Sequence, residues 1–132
     1  MSIFVDTSAI ITYLDAADPD HALARRTWDD LLARKEDLVS TSYAVVEAFA
    51  VVQRRFGLDR VAVLDQEIHP VLSIQWVDEA IHNAGVAALL AAGRRPLSLV
   101  DCVSFETMRR RGIQQVFCFD PHFGEAGFHV LP

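Results

Sequence analysis

Apolar residues fall into two kinds of segment along this chain. Short runs such as Ile3-Phe4-Val5 and Val116-Phe117-Cys118-Phe119 show no polar alternation and end at polar residues. Runs of that length, bounded by turn formers, read as strands covered on both faces. Between them lie longer stretches whose apolar positions recur every three or four residues, the period of a helix with one side on a core. The pattern predicts a strand at 3–6, then a helix through Ile10, Ile11 and Leu14 with Asp6-Thr7-Ser8 supplying its cap. Asp18-Pro19 is expected to open a second helix, with Leu23, Trp28, Leu31 and Leu32 on one face. A strand at 38–42 leads into a helix over 43–56 that Gly57 stops. Asp59 is expected to cap another helix, ended by Pro70, and 73–77 forms a third strand. Asp78 then caps an alanine-rich helix finishing at Gly93. After the Arg94-Arg95-Pro96 loop, a helix over 99–111 stops at Gly112, a fourth strand covers 116–119, and 128–131 adds a fifth at the edge. Strands alternating with helices imply an α/β protein, a parallel β-sheet flanked by helices on both sides, in one domain over residues 1–132.

Composition narrows the class. Hydrophobic residues make up 52% and charged residues 23% of the chain, a balance that builds a globular core rather than a disordered segment. Glu47, Gln53 and Gly93 interrupt the apolar stretches, so none reaches the ~20 residues of a membrane span. Met1-Ser2-Ile3-Phe4-Val5-Asp6 has neither a basic start nor a cleavage motif, which points to a cytoplasmic protein. Cys102 and Cys118 lie in apolar runs without CxxC spacing and read as buried thiols. The formal net charge of −6 argues against gripping a polyanion through overall charge. Arginines nevertheless cluster at Arg25-Arg26, Arg54-Arg55, Arg94-Arg95 and Arg109-Arg110-Arg111, where they either hold phosphates or end helices in solvent.

Four acids change the picture. Asp6 closes the first apolar run, Asp101 follows Leu97-Ser98-Leu99-Val100, and Asp120 ends the run at Phe119. Glu47 stands inside Ala44-Val45-Val46-Glu47-Ala48-Phe49, with no lysine or arginine three or four residues away to pair with it. Capping accounts for Asp6 or Asp101 taken singly, and a turn accounts for Asp120 before Pro121. Glu47 has no capping position. An uncompensated buried carboxylate costs several kcal/mol or takes up a proton, and a shared divalent cation is the simplest joint compensation. Asp59 and Asp78 read as structural caps, and His122 as loop structure.

The ordered set Val5-Asp6-Thr7-Ser8-Ala9, Thr41-Ser42-Tyr43 through Glu47, Leu97-Ser98-Leu99-Val100-Asp101 and Phe119-Asp120-Pro121-His122-Phe123 resembles the PIN domain. It is most similar to the VapC-type toxins of bacterial toxin–antitoxin pairs, and the likeness runs through the closing Gly127-Phe128-His129-Val130-Leu131. The resemblance implies a Mg²⁺- or Mn²⁺-dependent ribonuclease with Asp6, Glu47 and Asp101 as core ligands and Asp120 as a fourth, more variable acid. Thr7 or Ser8 would assist. It also implies a homodimer and a small VapB-like antitoxin masking the site. The low pI of 5.2 departs from many relatives and leaves the RNA-facing surface undefined.

Two other readings compete. Aspartate-based phosphatases place an Asp-x-Asp pair after the first strand, but the residue two beyond Asp6 is Ser8. A catalytically silent PIN-like binding module would gain nothing from four carboxylates set in apolar surroundings.

Overall fold

Strand β1 (Ser2–Val5) sends Ile3 and Val5 to one face of the sheet and Phe4 to the other, and all three are fully buried. The period-2 geometry of a strand divides one short sequence run between two cores. Strand β2 (Asp37–Thr41) repeats the division with Leu38 and Val39, and β4 (Gln115–Phe117) with Phe117 and Val116. With β3 (Ser73–Gln75) and β5 (His129–Leu131) they form a five-stranded, wholly parallel sheet in the order β3-β2-β1-β4-β5. The computed structural model describes all 132 residues.

Helices cover both faces, as expected for a parallel sheet. On the Ile3–Val5 face lies the larger core, built with α1 (Thr7–Leu14), α2 (His21–Ala33), α3 (Ser42–Phe56) and the segment after α4 (Leu58–Val63). Trp28, Leu31, Val45, Val52, Leu64 and Ile68 fill it. On the Phe4 face, Phe105 and Met108 of α6 (Leu99–Arg111) meet Phe123 of α7 (His122–Glu125). Helix α5 (Glu79–Ala92) packs on α6. The contact is close at Gly85, where an added Cβ would come within 2.6 Å of the Val103 Cγ2. No helix is long and apolar enough to cross a membrane.

The α/β/α arrangement is the one expected, with local corrections. Helix α2 begins at His21 after Asp20, not at Asp18-Pro19, because Asp18 spends its carboxylate on a turn, accepting from the Asp20 N–H at 2.8 Å. Asp59 does not cap α4. The chain turns into that helix at Gly57, whose φ of 88° a side chain would resist, and Asp59 sits in the first turn. The helix then widens over Leu64–Ile68 and tightens over His69–Val71 before ending near Pro70. Asp78 caps α5 as expected, accepting from Ile81 N–H at 2.8 Å. His122, expected as loop structure, instead opens the short α7.

Candidate metal centre

The chain leaves β1 towards β2 and β3, then returns past β1 to β4 and β5. The carboxyl ends of β1 and β4 therefore flank a topological switch point, the place where open parallel sheets collect ligands. Asp6 follows β1 there and Asp120 lies just beyond β4.

Asp6 is 3% exposed and caps α1. Its N–H donates to Phe117 O at 3.1 Å, extending the β1–β4 pairing by one bond. Its Oδ2 accepts from the Ser8 N–H (3.1 Å) and the Ser8 hydroxyl (2.6 Å). Ser8 Oγ in turn accepts from Phe119 N–H at 3.0 Å, so one hydroxyl joins the ends of two strands. Burial pushes the Asp6 carboxyl up from 3.8 to about 6, against the two Ser8 bonds and with the charges of Asp101 and Asp120 adding to the rise.

Glu47 lies in the second turn of α3. Thr41 caps that helix through Ala44 N–H (3.0 Å), and the buried Thr7 donates to Ala44 O at 2.9 Å, which locks α3 to α1. Glu47 is half-buried, less enclosed than its apolar neighbours in sequence suggest. Burial raises its pKa; Thr7 offsets part of that, and Asp101 and Asp120 raise it further. Because the Thr7 hydroxyl is already committed to Ala44 O, burial and like charge dominate.

Asp101 is 8% exposed and occupies the third position of α6, in a capping box with Ser98. Ser98 N–H donates to Asp101 Oδ2 and Asp101 N–H to Ser98 Oγ, both at 3.1 Å. Its carboxyl too is raised, chiefly by burial. Asp120 is partly exposed and accepts from His122 N–H at 2.8 Å through Oδ1. Asp101, Asp120 and His122 each offer a ligand atom within 4.8 Å of the others.

The fold thus draws all four acids into one region, since Asp6 and Glu47 both feel the charges of Asp101 and Asp120. The two expected helpers divide: Ser8 touches Asp6, whereas Thr7 holds two helices together. His122 joins the acids although the sequence marked it only as loop. No lysine or arginine pairs with any of the four acids. Most clustered arginines are engaged elsewhere: Arg25 over the Tyr13 ring, Arg55 with Asp15, Arg94 with Glu125, Arg110 with Glu106, Arg111 with Gln75, and Arg109 over the Phe105 and Phe128 rings. Four carboxylates, three of them raised by burial and none paired with a lysine or arginine, form a donor set suited to a hard divalent cation.

A family model described as PIN domain matches residues 3–129. The chain is 36% identical over 129 residues to the 23S rRNA-specific endonuclease VapC20 of Mycobacterium tuberculosis, an alignment covering 96% of this chain and 95% of that protein. It is 40% identical to Ribonuclease VapC26 of the same organism over 57 residues, 43% of this chain and 40% of that protein. Among solved structures, M. tuberculosis VapC20, described as a Sarcin-Ricin loop cleaving toxin, superposes with a TM-score of 0.83 over 96% of this chain and 95% of that one. Identity in that structural alignment is 30%. FitAcB from Neisseria gonorrhoeae shares the fold at a TM-score of 0.69 and 20% identity, over 100% of this chain and 97% of that one.

Proposed function

Since this chain belongs to the PIN-domain family and has VapC-type toxins as its relatives, we propose that it is a divalent-metal-dependent endoribonuclease, the toxin of a VapBC-type pair. The observation that carries the reading is the gathering of Asp6, Glu47, Asp101 and Asp120 about the switch point with no lysine or arginine to balance them. Residues 1–132 act as one PIN domain in the cytoplasm, as a homodimer held in check by a VapB-like antitoxin.

Asp6, Glu47 and Asp101 are the core ligands of Mg²⁺ or Mn²⁺, and Asp120 is the fourth acid. When bound, the ion lowers the pKa of a coordinated water and offsets charge on the phosphate under attack. Ser8 fixes the rotamer of Asp6 by bonding one of its oxygens, and the Ser98 capping box fixes Asp101 likewise. In-line attack of water on an RNA phosphodiester leaves a 5′-phosphate and a 3′-hydroxyl. Helix N-termini supplied by α1 and α6 favour the negative charge that accumulates there. The first substrate to test is 23S rRNA, on which VapC20 is named as acting.

The test is incubation of purified protein with ribosomes and with total RNA, in Mg²⁺ or Mn²⁺, in EDTA, and beside a folded Asp101→Asn variant. Discrete cuts carrying 5′-phosphates, absent in EDTA and in the variant, support the reading. Tight metal binding without any cleavage of RNA would point to another phosphoester substrate. Absence of both would leave a silent binding module.

A further inference from the structure

His122 is held in a way that loop structure alone does not require. Its ring is enclosed, with 15% side-chain exposure. Nδ1 faces Glu125 Oε2 at 3.3 Å, and in the tautomer that donates from Nδ1 to this carboxylate Nε2 is the nitrogen left to act as a donor atom for a metal. Nε2 looks towards Asp120 Oδ1 across 3.9 Å. That gap is too long for a hydrogen bond, so Nε2 has no direct bond to the carboxylate it faces. The same Asp120 oxygen accepts the His122 N–H, which fixes the backbone from which the ring projects. Glu125 is steadied in turn by Arg94 at 3.1 Å, although that pair is half-exposed and worth little by itself. A carboxylate behind an imidazole, with the far nitrogen turned to a group of acids, is the arrangement that orients histidine ligands of metals.

We propose that His122 is a nitrogen ligand of the ion held with Asp101 and Asp120, and that Glu125 is the residue that positions it. The inference rests on the metal-dependent reading above and specifies which ion the centre prefers. Mg²⁺ demands oxygen donors and keeps its waters, whereas a first-row transition ion gains from an imidazole. A mixed nitrogen and oxygen centre therefore favours Mn²⁺ over Mg²⁺. The short α7 serves this arrangement: its i,i+3 spacing puts Glu125 against His122, and buried Phe123 anchors it to the core.

The experiment uses tag-free full-length protein, Mn²⁺ and Mg²⁺ as separate probes, and calorimetry with pulsed electron paramagnetic resonance of the bound Mn²⁺. Wild type should show modulation from a directly bound ¹⁴N, and His122→Ala should abolish it. The same variant should weaken Mn²⁺ binding tenfold or more while changing Mg²⁺ binding less than about threefold. Glu125→Gln should retain the nitrogen signal with Mn²⁺ weakened by roughly tenfold, as expected for a residue acting through a ligand. Circular dichroism and melting establish that the variants fold. Mn²⁺ that binds wild type through Asp101, shown by its loss in Asp101→Asn, but without nitrogen modulation overturns the role of His122 and leaves the metal centre standing. Binding of neither ion to wild type overturns both.

Discussion

The Ser8 hydroxyl donates to Asp6 Oδ2 at 2.6 Å. Its oxygen also accepts the Phe119 N–H at 3.0 Å, which places it between the carboxyl ends of β1 and β4. A buried aspartate is thereby held in one rotamer by a side chain that also bonds the chain leaving β4. Ser8→Ala removes both bonds and leaves a backbone N–H and a carboxylate oxygen short of a partner. The expected cost is about 1–3 kcal/mol of stability, with a roughly 10–100-fold loss of metal affinity. Chemical denaturation and calorimetry on the same preparation measure the two. Ser8→Thr, which keeps the hydroxyl, should recover most of the affinity; no recovery would show that packing rather than the bonds is at stake.

Asp6, Asp101 and Asp120 were legible because each interrupts an apolar run where a strand or helix end was foreseeable, and strand ends of a parallel sheet converge. Glu47 was legible by elimination, as a charge on an apolar helix with no partner at helical spacing. Its half-exposure was not, since that depends on how α3 is rotated against α5 and α6. His122 and Glu125 were opaque for a different reason. Their pairing needs the one-turn helix α7, too short to leave a periodic pattern, and their relation to Asp120 arises only when its carboxylate closes a turn onto His122 N–H. Asp59 misled because Asp two residues after glycine looks like a cap, while the backbone used Gly57 itself.

The cysteines lead to a reactivity prediction. Cys118 is 1% exposed and donates weakly to Asp120 O, and burial pushes its thiol up to about 12. Cys102 is 3% exposed and also raised, again mainly by burial. The thiolate is the reacting species, so neither residue should be alkylated by iodoacetamide in the native protein over hours at pH 8. Both should react within minutes in denaturant. Rapid labelling of Cys118 in native protein, read by mass spectrometry, would mean that the segment bearing Asp120 opens without global unfolding.

Gly85 sets how near α5 comes to the helix that carries Asp101. A Cβ at this position meets Val103 Cγ2 at 2.6 Å and Val103 N at 3.4 Å, and a β-branched side chain on a helix has little freedom to turn away. Gly85→Ala should therefore destabilise by about 1–3 kcal/mol, even though alanine is the better helix former by roughly 1 kcal/mol. Val103→Ala should cost less in that background than in wild type, a coupling of about 1 kcal/mol in a double-mutant cycle. Additive melting shifts would show that the two helices separate freely and that Gly85 does not fix their distance.

The raised Asp6 carboxyl makes the metal-free protein sensitive to pH with a definite sign. In the unfolded chain the group titrates near 3.8, and in the fold near 6. Native protein therefore binds the extra proton between those values, and its stability falls as pH rises through that window. Below pH 3.8 the group is protonated in both states and contributes no difference; above 6 the full penalty applies, about 3 kcal/mol for a shift of this size. Glu47 and Asp101 are raised as well and act in the same direction. Asp6→Asn cannot ionise, so metal-free variant and wild type should melt close together at pH 4 and diverge by pH 7, with the variant higher. A divalent ion reverses the order, because it binds the deprotonated carboxylates and its stabilisation of wild type grows with pH. Melting both proteins from pH 4 to 8, with EDTA and with saturating Mn²⁺, tests the sign in each arm. If wild type without metal is the more stable protein at pH 7, then Asp6 is compensated by groups of the fold itself, and the argument that its charge awaits a cation fails.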